Sequence, residues 1–359
     1  MKPKTPIQLD IFSLSRAEER FPLPSTRYQG SKSKLVWWMW DILRDLECST
    51  VLDGFSGTGV VSYALKRLGK QVTCNDYLKF NSYIGHALIE NSTQTLADED
   101  VACVLRKDPE YPYESFITRT FREIYYTDDE NQWLDVVVQN IDRLPFTKRT
   151  LAYYALFQAC LVKRPFNLFH RKNLYIRFAD VQRGFGNKST WDRPFVEHFT
   201  NFVREINFLV FDNGKTNKAL NTNVLDRQGS FDLVYLDPPY ISSKNITVDY
   251  RDFYHFFEGM VNYRNWPSMI DYRSKHLRLI PTANPWNDKE LTRAAFRNTF
   301  DRFRDSMIAV SYRADGIPSI VEIQADLGLF KKRIRTFTSG EYKYVLSHSM
   351  GKEVLIVAE

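Results

Sequence analysis

The sequence predicts an α/β protein: a doubly wound, Rossmann-like parallel sheet with a long, largely helical region inserted into it. Three observations carry this expectation. Thr50-Val51-Leu52 is a short apolar strand that runs into the turn Asp53-Gly54-Phe55-Ser56-Gly57-Thr58-Gly59, followed by a helical stretch over residues 60–68. Gly69 ends that helix, and Gln71-Val72-Thr73-Cys74 forms a second strand that stops at Asn75-Asp76. A βαβ unit of this size signals a parallel sheet covered by helices. Third, residues 231–236 form an apolar run ahead of Asp237-Pro238-Pro239-Tyr240, where the double proline halts a buried strand because it offers no N–H to a ladder. Further strands are expected over residues 306–312 and 353–358.

Composition narrows the function classes. The 359 residues carry 49 Lys and Arg against 43 Asp and Glu, a formal net charge of +6, which suits a partner rich in phosphates. Aromatic residues make up 15%, enough to serve both core packing and stacking on flat ligands. The cysteines, Cys48, Cys74, Cys103 and Cys160, form neither a CxxC pair nor a zinc knuckle, and the six histidines are dispersed, so no metal is expected. Scattered thiols, no apolar run of the roughly 18 residues needed to span a membrane, and a polar segment 1–19 predict a cytoplasmic protein. Residues 1–26, with Pro6, Pro22 and Pro24, read as an N-terminal arm. Charge is uneven beyond it: residues 94–142 hold 12 acids against 4 bases, and residues 163–193 hold 8 bases against 2 acids.

The glycine-rich turn places Gly54, Gly57 and Gly59 where a strand meets a helix, so that backbone can approach a ligand closely. Asp76, at the end of the next strand, stands about 20 residues further on, where a carboxylate can accept hydrogen bonds from ribose hydroxyls. The spacing is not the GxGxxG of dinucleotide folds, and alone the turn also reads as structural. Gly184 to Thr190 lacks the spacing of a phosphate loop.

Asp237-Pro238-Pro239-Tyr240 is the sharpest signal. An aromatic amine is a poor nucleophile because its lone pair is delocalised into the ring. A carboxylate accepting one of its N–H groups, with a carbonyl accepting the other, favours a pyramidal nitrogen and faces the positive charge that develops on methyl transfer. Pro238 and Pro239 stiffen the loop so that the Pro238 carbonyl can be aimed, and Tyr240 can stack on the base.

Taken with Tyr28-Gln29-Gly30-Ser31-Lys32, the glycine turn and Asn75-Asp76-Tyr77, this tetrad makes the sequence resemble the adenine-N6 DNA methyltransferases of the Dam-like, or D12, class, over roughly residues 26–359. The motifs stand in that family's alpha order. The basic, aromatic stretch and Tyr254-His255-Phe256-Phe257-Glu258-Gly259 look closer to the adenine methylases of type II and type IIS restriction systems. The resemblance implies S-adenosyl-L-methionine as cofactor, duplex DNA as substrate, a base turned out of the helix, and a separately encoded restriction endonuclease as a candidate partner. It implies a methyltransferase domain in two segments, 27–95 and 218–359, flanking a target-recognition region, 96–217. By position, Tyr28, Gln29, Gly30 and Lys32 face the methionine end of the cofactor. Asp53, Gly54, Phe55, Ser56, Gly57, Thr58 and Gly59 form its loop, Asp76 takes the ribose, and Tyr77 or a nearby side chain covers the adenine. Either Asn223 or Asp226 fills the role of the polar group on that adenine. Asp237, Pro238, Pro239 and Tyr240 are the catalytic tetrad. Cytosine-N4 methylation uses the same geometry, although those enzymes usually carry Ser in place of Asp237. A DNA-binding protein with a catalytically inactive methyltransferase fold is the reading from another class.

The stretch 163–173 is the candidate DNA surface. Lys163, Arg164, His170, Arg171 and Lys172 supply charge for phosphates, and Asn167 and Asn173 can read adenine edges. Outside such a protein the same stretch reads as a solvated charged face.

Overall fold

A computed structural model describes residues 20–179, 188–242, 247–340, 342–343 and 350–359. The motif at 184–190 and Phe185 therefore fall largely outside the described residues, as do residues 1–19 of the arm. Its centre is a sheet of seven strands: β1 (Thr50–Asp53), β2 (Gln71–Asn75), β3 (Lys218–Leu220), β4 (Leu233–Leu236), β5 (Met307–Arg313), β6 (Ile334–Thr338) and β7 (Glu353–Ala358). The spatial order is β3-β2-β1-β4-β5-β7-β6. Every pairing is parallel except those of β7, which runs antiparallel to both β5 and β6. This is the predicted mixed α/β, Rossmann-like sheet, with one reversed strand near its edge.

Alternation along the strands explains the layers. Side chains of successive strand residues point to opposite faces. On one face Val51, Leu233, Tyr235, Ala309 and Leu355 join the core under α2 (Val60–Arg67), α3 (Lys79–Gly85) and α5 (Phe146–Val162). On the other, Leu52, Val234, Leu236, Val310 and Ile356 pack beneath α8 (Thr292–Arg302) and α9 (Ile320–Leu327) through Phe296, Phe300, Ile323 and Leu327. Strands buried on both faces read as continuous apolar runs, which is why β4 and β7 were visible in the sequence.

The helices of residues 96–217 share the first core rather than closing on one of their own. In α5 every residue from Thr150 to Val162 is buried, and α5 lies against α3 and α6 (Phe195–Leu209). A helix apolar all round belongs inside a large core. Tyr63 of α2 donates to the Leu209 carbonyl at 3.0 Å, and Tyr154 donates to Glu205 at 3.1 Å. The described part of the arm packs down too, with Phe21 against Trp37 and Trp40 of α1 (Val36–Leu43) at 4.9 and 5.1 Å.

The strand order reverses between β1 and β4, which are neighbours. Open α/β sheets bind ligands at the carboxyl ends of strands at such a switch point. There Asp53 pairs in register with Tyr235, and the Gly54 N–H donates to the Tyr235 carbonyl at 2.9 Å, so the glycine turn and the Asp-Pro-Pro-Tyr tetrad leave the sheet side by side. Among the described residues no helix is long and apolar enough to cross a membrane.

Candidate active site

Between these two strand ends lies a cleft partly open to solvent. Its walls bring together Tyr28, Gly30, Lys32, Asp53, Phe55, Ser56, Gly57, Thr58, Asp76, Tyr77, Asp237 and Pro239, residues from four separate sequence motifs. Gly57 has φ +47 with open space where a side chain would start, so the turn presents bare backbone to the cleft. Gly59 (φ +72) begins α2, and Gly54 is pressed against Val224 and Leu236; both support the turn from behind.

Asp76 is held by the chain itself, accepting from the Gly57 N–H at 3.0 Å and the Leu78 N–H at 2.9 Å. The Asn221 amide donates to the carbonyls of Asp76 and Tyr77, both at 2.9 Å, and fixes the strand end from the next crossover. Asp53 accepts from the Ser62 hydroxyl at 2.6 Å. Burial raises both carboxyls, Asp53 to about 7 and Asp76 to about 6, against the hydrogen bonds that lower them. Buried Asn81 lines the same wall, and its Oδ1 has no partner among the described residues. A desolvated, acid-lined cleft with a spare acceptor fits a ligand that carries positive charge and hydroxyl or amine donors.

The tetrad meets the first motif at the floor. Lys32, 5% exposed, donates to Asp237 Oδ1 at 2.7 Å and also to the Tyr240 hydroxyl. Tyr240 lies 2.7 Å from Asp237 Oδ1 and 2.6 Å from Glu353 Oε1, and Lys32 stands 3.2 Å from the same Glu353 oxygen. Burial lifts the Asp237 carboxyl to about 6 in spite of Lys32; burial works to lower the Lys32 ammonium, yet Asp237 and Glu353 together carry it above its ordinary value. Pro238 is buried and Pro239 lines the cleft, and the half-buried Tyr240 ring meets Tyr312 edge-on at 5.1 Å.

Tyr28 is stacked between Tyr254 (3.9 Å) and Tyr250 (5.5 Å), and its hydroxyl is 3.4 Å from Asn81. Gln29 stays out of the cleft: its backbone N–H donates to the Tyr254 hydroxyl at 2.6 Å. The Tyr254-to-Gly259 motif is thereby explained. Tyr254 pins the first motif, and Glu258 accepts from the Lys79 and Phe80 N–H groups at the start of α3. Asn223 is exposed, caps the turn at residues 224–226 through Leu225 N–H at 3.0 Å, and lines a second recess with Phe55, Tyr77, Pro239 and Trp286. Asp226 is exposed and does not line that recess.

The basic stretch divides in two. Lys163, Arg164 and Asn173 are each 2% exposed, which corrects their assignment to a DNA surface. Lys163 pairs with Glu130 at 2.6 Å, and Arg164 lies 3.8 Å from the Phe169 ring centre and donates to Asn173 at 3.1 Å. Arg177 grips Glu130 as well, at 2.6 and 2.8 Å. The acidic and basic blocks of the sequence thus partly neutralise each other inside the fold. Arg171 and Lys172 are exposed, Asn167 and His170 half-buried, and Tyr175 and Phe178 stand out at 70% and 63%. Sequence reasoning assigned no site role to Asn81, Asn221, Tyr250, Ser311 or Glu353; Ser311 and Glu353 lie in the expected strands 306–312 and 353–358, whose apolar pattern says nothing of these two polar side chains.

Among the described residues no group of three or more metal-ligating side chains comes together. Residues 28–299 match the family described as D12 class N6 adenine-specific DNA methyltransferase. The chain is 29% identical over 247 residues to the type II methyltransferase M2.HphI of Haemophilus parahaemolyticus, covering 67% of this chain and 71% of that protein. It is 24% identical to the modification methylase LlaI of Lactococcus lactis subsp. lactis and 25% identical to the modification methylase StsI of Streptococcus sanguinis, covering 83% and 82% of this chain. It spans 47% and 44% of the length of those two proteins.

Proposed function

Because the chain belongs to the D12 class of N6 adenine-specific DNA methyltransferases, we propose that it takes its methyl group from S-adenosyl-L-methionine bound in the cleft between the glycine turn and Asp237. Bound there, the cofactor supplies a methyl group on a positively charged sulfur. Asp76 would accept from the ribose hydroxyls, the Ser56–Thr58 backbone would border the methionine moiety along with Tyr28 and Lys32, and Tyr77 and the recess beside Asn223 would take the adenine. The observation that carries this reading is that Asp237 and Asp76 wall one cleft around a turn of bare backbone.

Asp237 has the chemistry to accept one N–H of the target amine, and its carboxylate faces the charge that grows on nitrogen. The Pro238 carbonyl is the candidate acceptor for the second N–H. The Tyr240 ring offers a surface for the extruded base, where stacking returns ~1–3 kcal/mol of the unstacking cost. The methylated nitrogen is acidic and sheds its proton without a strong base. Rate then rests on alignment of the reacting atoms.

We further propose that residues 27–95 and 218–359 carry the transfer machinery and residues 96–217 the target recognition, with Arg171 and Lys172 on phosphates. We place the chain in a restriction-modification system, a reading supported by relatives named as a type II methyltransferase and modification methylases, and we propose a separate endonuclease as partner and the cytoplasm as location. The test is transfer of tritiated methyl to duplex DNA, followed by digestion and identification of the labelled base as N6-methyladenine. Asp237→Ala is expected to cut turnover by roughly 10²–10³-fold or more while calorimetry still detects cofactor binding. Near-normal turnover in that variant, or label found on cytosine, overturns the reading.

A further inference from the structure

We infer that Glu353 is a positioning residue for methyl transfer: it shares Lys32 and Tyr240 with Asp237, so that Asp237 meets the target amine with one oxygen uncommitted and its charge undiminished. The inference rests on the role proposed above for Asp237. Glu353 opens β7 and is fully buried, and both it and Ser311 of β5 lie beyond residue 299, where the family match ends.

The geometry accounts for the three protons of Lys32. An ammonium has three N–H groups, and Lys32 has three acceptors: Asp237 Oδ1, Glu353 Oε1 and the Tyr240 oxygen. Tyr240 has one proton and two carboxylate oxygens within reach, at 2.7 and 2.6 Å, so it can satisfy only one at a time. Glu353 is itself held fast. The Ser311 hydroxyl donates to its Oε1 at 2.7 Å, and its backbone N–H donates to Ser339 at 3.0 Å. Among the described residues all hydrogen bonds and ion pairs of Asp237 fall on Oδ1, and of the two acids only Asp237 lines the cleft.

Charge gives the arrangement its purpose. One ammonium between two carboxylates leaves a surplus negative charge in a site with little water, and that surplus faces a reaction in which positive charge moves onto nitrogen. With Asp237 as sole partner, Lys32 would cancel that charge and the amine would meet a weaker acceptor. The groups that bear on this cluster are Lys32, Asp237, Tyr240 and Ser311, with Tyr235, Tyr250 and Asp53 around them.

Glu353→Gln keeps shape and removes charge, and it is tested in the full-length protein on a duplex that the wild type methylates. The expected result is a fall in kcat of ~10–100-fold, with KM for cofactor and DNA within about threefold. Because a neighbouring carboxylate raises the Asp237 pKa, its loss should move the acid limb of the kcat profile down by ~1 pH unit. Glu353→Asp retains charge and should leave that limb near its wild-type position. Ser311→Ala, which loosens Glu353 without touching Lys32, should reduce kcat in the same direction by less, and it decides the matter if Glu353→Gln does not fold. An unmoved acid limb in Glu353→Gln, equal losses in the Gln and Asp variants, or unchanged turnover in both Glu353→Gln and Ser311→Ala overturns the inference. A wild type that methylates no adenine sinks the parent reading instead, and this one with it.

Discussion

Three carboxylates, Asp53, Asp76 and Asp237, close strands at the cleft, and burial raises all three, to about 7, 6 and 6. Each was legible in the sequence because an acid that ends an apolar run marks itself. Glu353 was not, since its partners Lys32 and Tyr240 lie far off in the chain and only the crossover connections bring them together. A raised acid binds its proton more tightly folded than unfolded, where Asp titrates near 3.9. The folded state therefore holds more protons between about pH 4 and the native value, and stability falls as pH rises through that window. For Asp53 the penalty is complete above pH 7. Asp53→Asn is accordingly expected to raise the Tm of the cofactor-free protein at pH 8 and to change it little at pH 4; a lower Tm at pH 8 would reject this account.

Whole elements were legible to the extent that their pattern was local. β1, β2, β4, β5 and β7 were expected within a residue or two, because apolar runs and turn residues bound them. β3, three residues long, and β6, a half-exposed edge strand containing Arg335, gave no such pattern. The short helix α7 (His255–Met260) shows another limit: its motif was conspicuous, but its task, clamping the first motif and α3, needed coordinates. In α7 a methyl added at Gly259 would fall 1.9 Å from the ring of fully buried Trp266. Gly259→Ala should then cost ~1–3 kcal/mol by overpacking, read as a lower urea midpoint with unchanged slope. An unaltered midpoint would show that the ring yields freely.

At the level of the whole molecule, a net charge of +6 suits a partner rich in phosphates but does not say which charges reach the surface. Glu130 of α4 (Asp128–Asp142) takes up Lys163 and Arg177, while Arg171 and Lys172 remain outside. The two groups should separate by experiment. Replacing Arg171 and Lys172 with Ala is expected to weaken duplex binding and flatten its log–log salt slope by up to ~2, about one for each lost phosphate contact, without lowering Tm. Arg164→Ala should instead destabilise the fold by ~2 kcal/mol or more through lost ring contacts and leave the slope intact. A filter-binding titration in which Arg171 and Lys172 leave the slope untouched would remove them from the interface.

The placement of β7 has a bearing on synthesis. It is the last of the seven strands to be translated, yet it is inserted between β5 and β6, and its first residue is Glu353. Until that residue leaves the ribosome, β5 presents an unpaired edge and the reaction floor lacks one of its two acids. A message cut short before codon 353 is therefore expected to yield a chain open to proteases and, if Glu353 supports Asp237 as inferred above, slower in methyl transfer.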